Sequence, residues 1–335
     1  MNNSFISMSL CDKKNLIEEL KHFYIPYRDS LDFNKSYTFG CEIEFNMKGY
    51  YNNINDIESL KAFDYMKSIG YKYNWNVVSE LDNRLEIVSD VLTDKKENWL
   101  LLNDILLFLN NNGAYYNGKG GSHVHVGNQI IANNFDSFII FLKIFACYEN
   151  EIIRFTNGEY YFDRVQFEYM CNRSKKIIFD MLEKKDFIKR KNVSSLLCNK
   201  MYSINFFYSD FYKIIKTGSD AYIYNKANTT EFRTPTLTLN PVIWQNNINF
   251  FVKLMSCMKR EDFDISLLNY RYSKEKDLYL FDKKYSSQKA FELCDLVFNN
   301  SFDKYCFLRQ YYKDFDESLV YSSMSKSKPF YTLPY

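Results

Sequence analysis

The sequence predicts an α+β protein, and three observations predict it. Several short segments alternate apolar and polar residues with a period of two, as strands do. Two of these segments are joined by the short turn Leu81-Asp82-Asn83, as in a hairpin. Between them run longer segments whose apolar residues recur at helical spacing. With 335 residues, 46% of them hydrophobic, and with 29 Tyr and 30 Phe, the chain has the apolar surface for a sizeable core; global disorder is excluded.

In chain order, Asp12 to Phe23 has Leu16, Leu20 and Phe23 at helical spacing, with Asp12 as the expected N-cap and His22 as a helix-end group. Tyr37 to Met47 alternates as a strand: Phe39, Cys41, Ile43 and Phe45 form one face, Glu42 and Glu44 the other. A helix is expected over residues 57–68, closed by Gly70. The hairpin strands Tyr73 to Glu80 and Arg84 to Asp90 follow, the second carrying Glu86. Thr93, with Glu97 nearby, opens a helix through Trp99, Leu102, Ile105 and Leu106, which Gly113 ends, and a polar loop leads on through Gly118. Ser122 to Gly127 reads as a strand, and Phe135 to Phe155 is the longest helical segment. From Gly158 to Lys200 the chain reads as helical and irregular. Met201 to Tyr208 and Thr229 to Thr234 are strands, Ile243 to Met258 is a helix opened beyond Asn240-Pro241, and Asp262 onward holds one or two helices and an aromatic tail.

Composition narrows the function classes. Lys+Arg number 43 against 41 Asp+Glu, a formal net charge of +2, which argues against a bulk electrostatic nucleic-acid binder. The eight cysteines are scattered with no C-x-x-C pair, so neither a zinc knuckle nor a thioredoxin-type motif is expected. Met1 to Leu20 lacks the charged start and continuous apolar segment of a signal peptide, and no run approaches the roughly 18 apolar residues of a membrane span. A cytoplasmic protein with reduced thiols and no membrane partner is the resulting expectation.

Chemistry concentrates in three pairs of residues two apart on expected strands: Glu42/Glu44, His123/His125 and Glu231/Arg233. Residues two apart on a strand share a face. Neighbouring imidazoles suit a metal ion or a phosphate, with ordinary hydrogen bonding as the alternative. Paired carboxylates suit Mg²⁺, with a solvated outer face as the alternative. If the three strands are neighbours, one sheet face carries three carboxylates, two imidazoles and a guanidinium, a set matched to two Mg²⁺ ions on the phosphates of ATP.

Four motifs in order resemble those of the amidoligase family: Phe39-Gly40-Cys41-Glu42-Ile43-Glu44-Phe45, Leu85-Glu86-Ile87-Val88-Ser89, Gly121-Ser122-His123-Val124-His125-Val126, and Thr230-Glu231-Phe232-Arg233 with Thr238-Leu239. This family belongs to the carboxylate–amine ligase superfamily with glutamine synthetase and glutamate–cysteine ligase. The resemblance spans about Tyr37 to Met258. Ser122 departs from it, standing where the family usually has an apolar residue.

The resemblance implies a curved antiparallel sheet of the glutamine-synthetase catalytic type with helices packed on one side. It divides the chain into an N-terminal helical segment (1–36), a catalytic domain (37–260) and a helical, aromatic extension packed on the same domain (261–335). It further implies that Glu42, His123 and Glu231 hold the metal associated with the ATP phosphates, and that Glu44 and Glu86 hold the metal nearer the substrate carboxylate. His125 and Arg233 then contact phosphate oxygens, and Arg164 and Asn205 lie near the substrate pocket. The implied cofactors are ATP and two Mg²⁺ ions, with Mn²⁺ able to substitute.

The implied reaction joins a carboxylate and an amine or ammonia into an amide through an acyl phosphate, the acid being a free amino acid, a peptide end or a protein side chain. The alternatives are a metal-dependent hydrolase and a binding or scaffold protein that keeps the fold without turnover. Histidine count disfavours the first. A binuclear amidohydrolase or a cupin needs further histidine ligands, and only His22 remains. Unpaired clustered carboxylates disfavour the second, being costly without a cation.

Overall fold

The computed structural model describes residues 4–47, 64–65, 67–68, 74–80, 84–116, 120–131, 134–160, 171–183, 198–209, 227–275 and 285–313. The sheet is built around strand β1 (Phe39–Met47). Phe39, Cys41, Ile43 and Phe45 are each at most 2% exposed on its apolar face, as the alternation predicts. Strand β3 (Arg84–Val88) pairs along one edge of β1, and β2 (Asn76–Glu80) pairs with β3 to complete the expected hairpin. Along the other edge lies β5 (Ser122–Gly127), while β4 (Ala114–Tyr115) pairs with the end of β1. Strand β7 (Thr229–Phe232) follows β5, and β6 (Ile204–Asn205) follows β7. The seven-stranded sheet is open, runs β2-β3-β1-β5-β7-β6 with β4 beside β1, and is antiparallel at every pairing. The fold is α+β.

Among the described residues the helices are α1 (Leu10–Leu20), α2 (Lys96–Asn111), α3 (Phe135–Thr156), α4 (Lys175–Glu183), α5 (Pro241–Ser256), α6 (Ile265–Glu275), α7 (Ser287–Val297) and α8 (Ser301–Tyr312). Three of them meet the apolar face of the sheet. Trp99 of α2 stacks on Phe39 with ring centroids 4.9 Å apart, Phe141 and Phe145 of α3 pack against Phe232, and Phe251 of α5 stacks on Phe232 at 4.0 Å. Each such aromatic side chain contributes about 1.5–3 kcal/mol through burial. The same apolar cluster runs from Phe5 to Tyr312, so both ends of the described chain join one core. No helix among the described residues is long and apolar enough to cross a membrane.

Several local expectations are corrected. Helix α1 starts earlier than expected: Ser9, not Asp12, is its N-cap, its hydroxyl accepting from Asp12 N. Helix α2 begins at Lys96 rather than at Thr93, because Asp94 is spent elsewhere, accepting from the backbone N–H groups of Leu31 and Phe33 and from Trp99 Nε1. The polar loop after Gly113 contains β4. Of the strand expected over Met201 to Tyr208 only Ile204 and Asn205 join the sheet, while Tyr202 makes an isolated bridge to Asn172. Asn205 Oδ1 accepts from Phe207 N at 3.0 Å and turns the chain away. Among the described residues after Asp262 there are three helices rather than one or two. The helix expected at 57–68 falls largely outside the described residues, as do Arg164 and the aromatic tail.

Candidate metal centre and active site

Register brings the three pairs together. Glu42 lies across from His123 on β5, Glu44 across from Glu86 on β3, and His125 across from Glu231 on β7, which in turn faces Asn205 on β6. Four carboxylates and two imidazoles therefore share the polar face of four strands, joined by Arg233 just beyond β7. The apolar residues between them, such as Val124 and Phe232, are fully buried on the opposite face.

Glycine lets the backbone close one side. Gly120 has φ +124°, and a Cβ there would lie 3.0 Å from Glu44 Oε2 and 2.9 Å from Arg84 Nη1. The chain can then turn so that Gly121 N donates to Glu44 Oε2 at 3.0 Å. Arg84 Nη1 reaches the same oxygen at 2.5 Å.

His123 is the junction of the site. Its Nδ1 lies 2.8 Å from Glu42 Oε2 and 3.6 Å from Glu231 Oε1, and its Nε2 lies 3.7 Å from Glu44 Oε1. Burial and the neighbouring Arg233 guanidinium push the pKa of His123 down, which favours the neutral ring. An ionised Glu42 can only accept, so the proton belongs on Nδ1 and the lone pair on Nε2. That lone pair is buried, has no hydrogen-bond partner, and faces a carboxylate oxygen. Two electron-rich atoms turned toward each other in a desolvated site call for a cation between them.

Glu42 is gripped by both histidines, since its Oε1 is 2.9 Å from His125 Nε2. Burial opposes its charge, but the hydrogen bonds from His123 and His125 outweigh it and hold the carboxyl far below the usual range. His125 titrates above its ordinary value: burial disfavours its charge, and the bond to Glu42 outweighs burial. Glu231 is held low although burial opposes it, because its neighbours His123, Arg233 and His125 favour the ionised carboxylate. Arg233 Nη1 donates to Glu231 Oε1, and Asn205 Nδ2 donates to Glu231 Oε2 at 2.6 Å.

Two sets of donor atoms result. Glu42, His123 and Glu231 offer ligand atoms all within 4.8 Å of one another, and so do Glu44, Glu86 and His123. Carboxylate oxygens with one imidazole nitrogen suit Mg²⁺ or Mn²⁺. A neutral imidazole has a single lone pair, so His123 can ligate in only one set at a time. The charge balance also favours a cation, with four carboxylates set against Arg84, Arg233 and a charged His125.

The rule of residues two apart reaches further than the three pairs. Arg84 precedes Glu86 by two, and Thr229, whose Oγ1 is 3.3 Å from His125 Nδ1, precedes Glu231 by two. Tyr208, beside His125, and Lys200, over the Tyr208 ring, carry no periodic signal in the sequence. Asn205 reaches the site through Glu231, with its amide nitrogen on that carboxylate and its oxygen on Phe207 N. A scan against protein-family models and a search of curated proteins find no match to this chain.

Proposed function

We propose that this protein is an ATP-dependent carboxylate–amine ligase whose sheet is of the glutamine-synthetase catalytic type. The observation that supports it most is the convergence on one sheet face of two acidic donor sets with His123 at their junction. In this reading Glu42, Glu231 and His123 would hold a Mg²⁺ ion on the nucleotide phosphates, His123 then ligating through Nδ1 with its proton on Nε2 toward Glu44 Oε1, and Glu44 and Glu86 would hold a second near the carboxylate substrate. Bound metal supplies charge neutralisation at the phosphoryl oxygens.

The chain's own residues do the rest. Arg233, 5% exposed, and a charged His125 place positive charge where the γ-phosphoryl leaves ADP for a carboxylate oxygen. The product is an acyl phosphate. The amine nitrogen then attacks the acyl carbon, the C–O bond to phosphate breaks, and a proton leaves the nitrogen to give the amide. Burial of Glu231 and His123 keeps water from the reacting phosphoryl, so that it passes to the acid rather than to solvent.

The test is ADP release from MgATP with pooled amino acids and amines, comparing wild type with His123→Ala. Substrate-stimulated ADP formation that disappears in the variant supports the ligase, and dividing the pool names the acid. Mg²⁺-dependent ATP binding without turnover points to a peptide or protein carboxylate as substrate. The absence of both binding and turnover overturns the reading.

A further inference from the structure

Beyond β6, the edge strand of the sheet, the chain presents an aromatic ledge. Phe206 is buried in the core, edge-on to Phe138 at 5.2 Å, whereas Phe207 is 48% exposed and Tyr208 is half-buried. The Phe207 ring meets the Tyr208 ring edge-on at 5.1 Å, and the Tyr208 ring lies 6.2 Å from that of His125. Lys200 Nζ stands 6.0 Å over the Tyr208 ring, and among the described residues it has no ion-pair partner.

The ledge is held rather than loose. Phe207 N donates to Asn205 Oδ1, Thr229 N to the Tyr208 carbonyl at 3.1 Å, and Asn128 Nδ2 to Ser209 Oγ at 2.7 Å. A fixed, half-exposed aromatic pair offers an apolar ring face on which a planar group can stack.

Its place in the sheet selects the occupant. The strand order puts β6 and its neighbour β7, with Glu231, at the opposite end from β3, with Glu86. The ledge therefore adjoins the side assigned above to the nucleotide phosphates, not the side assigned to the acid. Lys200 also feels that side: partial burial opposes its charge, but Tyr208, Glu231 and Glu42 outweigh burial and raise its pKa.

We propose that Phe207, Tyr208 and Lys200 seat the outer half of the nucleotide, the purine ring stacking on the exposed Phe207 ring with the Tyr208 ring at its edge, and the Lys200 ammonium binding a phosphate oxygen. This rests on the nucleotide reading above and adds to it the residues that select a base.

The test is calorimetric binding of MgATP and of Mg-tripolyphosphate to the full chain as wild type, Phe207→Ala, Tyr208→Leu and Lys200→Met. All three side chains are exposed or half-buried, so the fold tolerates the changes. The aromatic variants are expected to weaken MgATP about tenfold, at the low end of base–aromatic stacking, and to leave tripolyphosphate unchanged. Lys200→Met is expected to weaken both ligands by a similar factor. Wild-type binding of both ligands, with the ATP-to-tripolyphosphate ratio unaltered in both aromatic variants, overturns the ledge and spares the nucleotide reading. Wild-type binding of neither ligand overturns both.

Discussion

Asn205 lies directly across from Glu231 on neighbouring strands and donates its amide to Glu231 Oε2 at 2.6 Å. The amide cannot flip, because Asn205 Oδ1 is held by Phe207 N. With Arg233 on the other oxygen, Glu231 has its carboxylate plane fixed before any ligand arrives. Groups that orient a metal ligand in this way change metal affinity by about 10–100-fold when removed. Asn205→Ala is therefore expected to raise the Mg²⁺ concentration needed for half-maximal nucleotide binding by about that factor. Asn205→Asp is expected to be worse, since it sets a carboxylate against Glu231. An unchanged Mg²⁺ requirement in Asn205→Ala would show that Glu231 is not a ligand.

Much of this site was legible because a strand's period of two is rigid. Once Glu42, His123 and Glu231 are placed on strands, their partners at two residues' distance must share the face, and Arg84 and Thr229 obey the same rule. What the period does not carry is which strands are neighbours, and β1, β5 and β7 are far apart in sequence. Ordered motifs, not spacing, suggested that adjacency. Strand β6 was overdrawn because Asn205 makes a side-chain turn that competes with the sheet. The C-terminal helices were undercounted for another reason. Helix α8 buries Asp303, Lys304, Arg309 and Gln310 together with Phe307 and Tyr311, and the surface it does show, at Ser301, Phe302 and Tyr305, gives no readable polar stripe.

Ser122 is a stability experiment built into the sequence. It precedes His123, points to the opposite face, and is 1% exposed with no hydrogen-bond partner for its hydroxyl. A buried unsatisfied hydroxyl costs about 1–3 kcal/mol. Ser122→Ala is expected to raise the urea midpoint, with a gain of about 1 kcal/mol, and to leave MgATP binding unchanged. A destabilised variant would mean that Ser122 has a partner on the helix side.

A buried ionic network joins four helices behind the sheet. Lys289 of α7 reaches Glu151 of α3 and Glu275 of α6, each at 3.3 Å, and Lys175 of α4 reaches Glu275 at 2.6 Å. Removing one partner of a buried pair leaves a charge that water cannot reach. Lys289→Met is expected to cost about 3–5 kcal/mol in chemical denaturation. The double variant Glu151→Gln/Lys289→Met is expected to recover part of that loss, because Glu151 is already pushed by burial toward its neutral form despite Lys289. Equal losses in the single and double variants would show that the Glu151 pair carries none of the cost.

Asp303 supplies a pH test away from the candidate metal centre. It stands in the first turn of α8, with Asn300 as N-cap accepting from Asp303 N at 2.8 Å. Its carboxylate accepts from Arg28 Nη1 and Asn249 Nδ2 at 2.9 Å, Lys253 Nζ at 2.5 Å and Asn300 Nδ2 at 2.6 Å, joining the N-terminal segment, α5 and α8. Burial opposes the charge, but Lys253 foremost, then Asn300 and Arg28, outweigh it and hold the pKa below the ordinary value. A depressed folded pKa means the stabilisation is fully present above the unfolded value of about 3.9, and is lost as pH falls from there through the folded value. Asp303→Asn is expected to lose about 3 kcal/mol at pH 6, since the new amide turns donors toward donors. The gap between wild type and variant should narrow only below about pH 4. Urea midpoints of both proteins from pH 6 downward measure it, and a gap that closes well above pH 4 would mean that Asp303 is not the charged hub of these contacts.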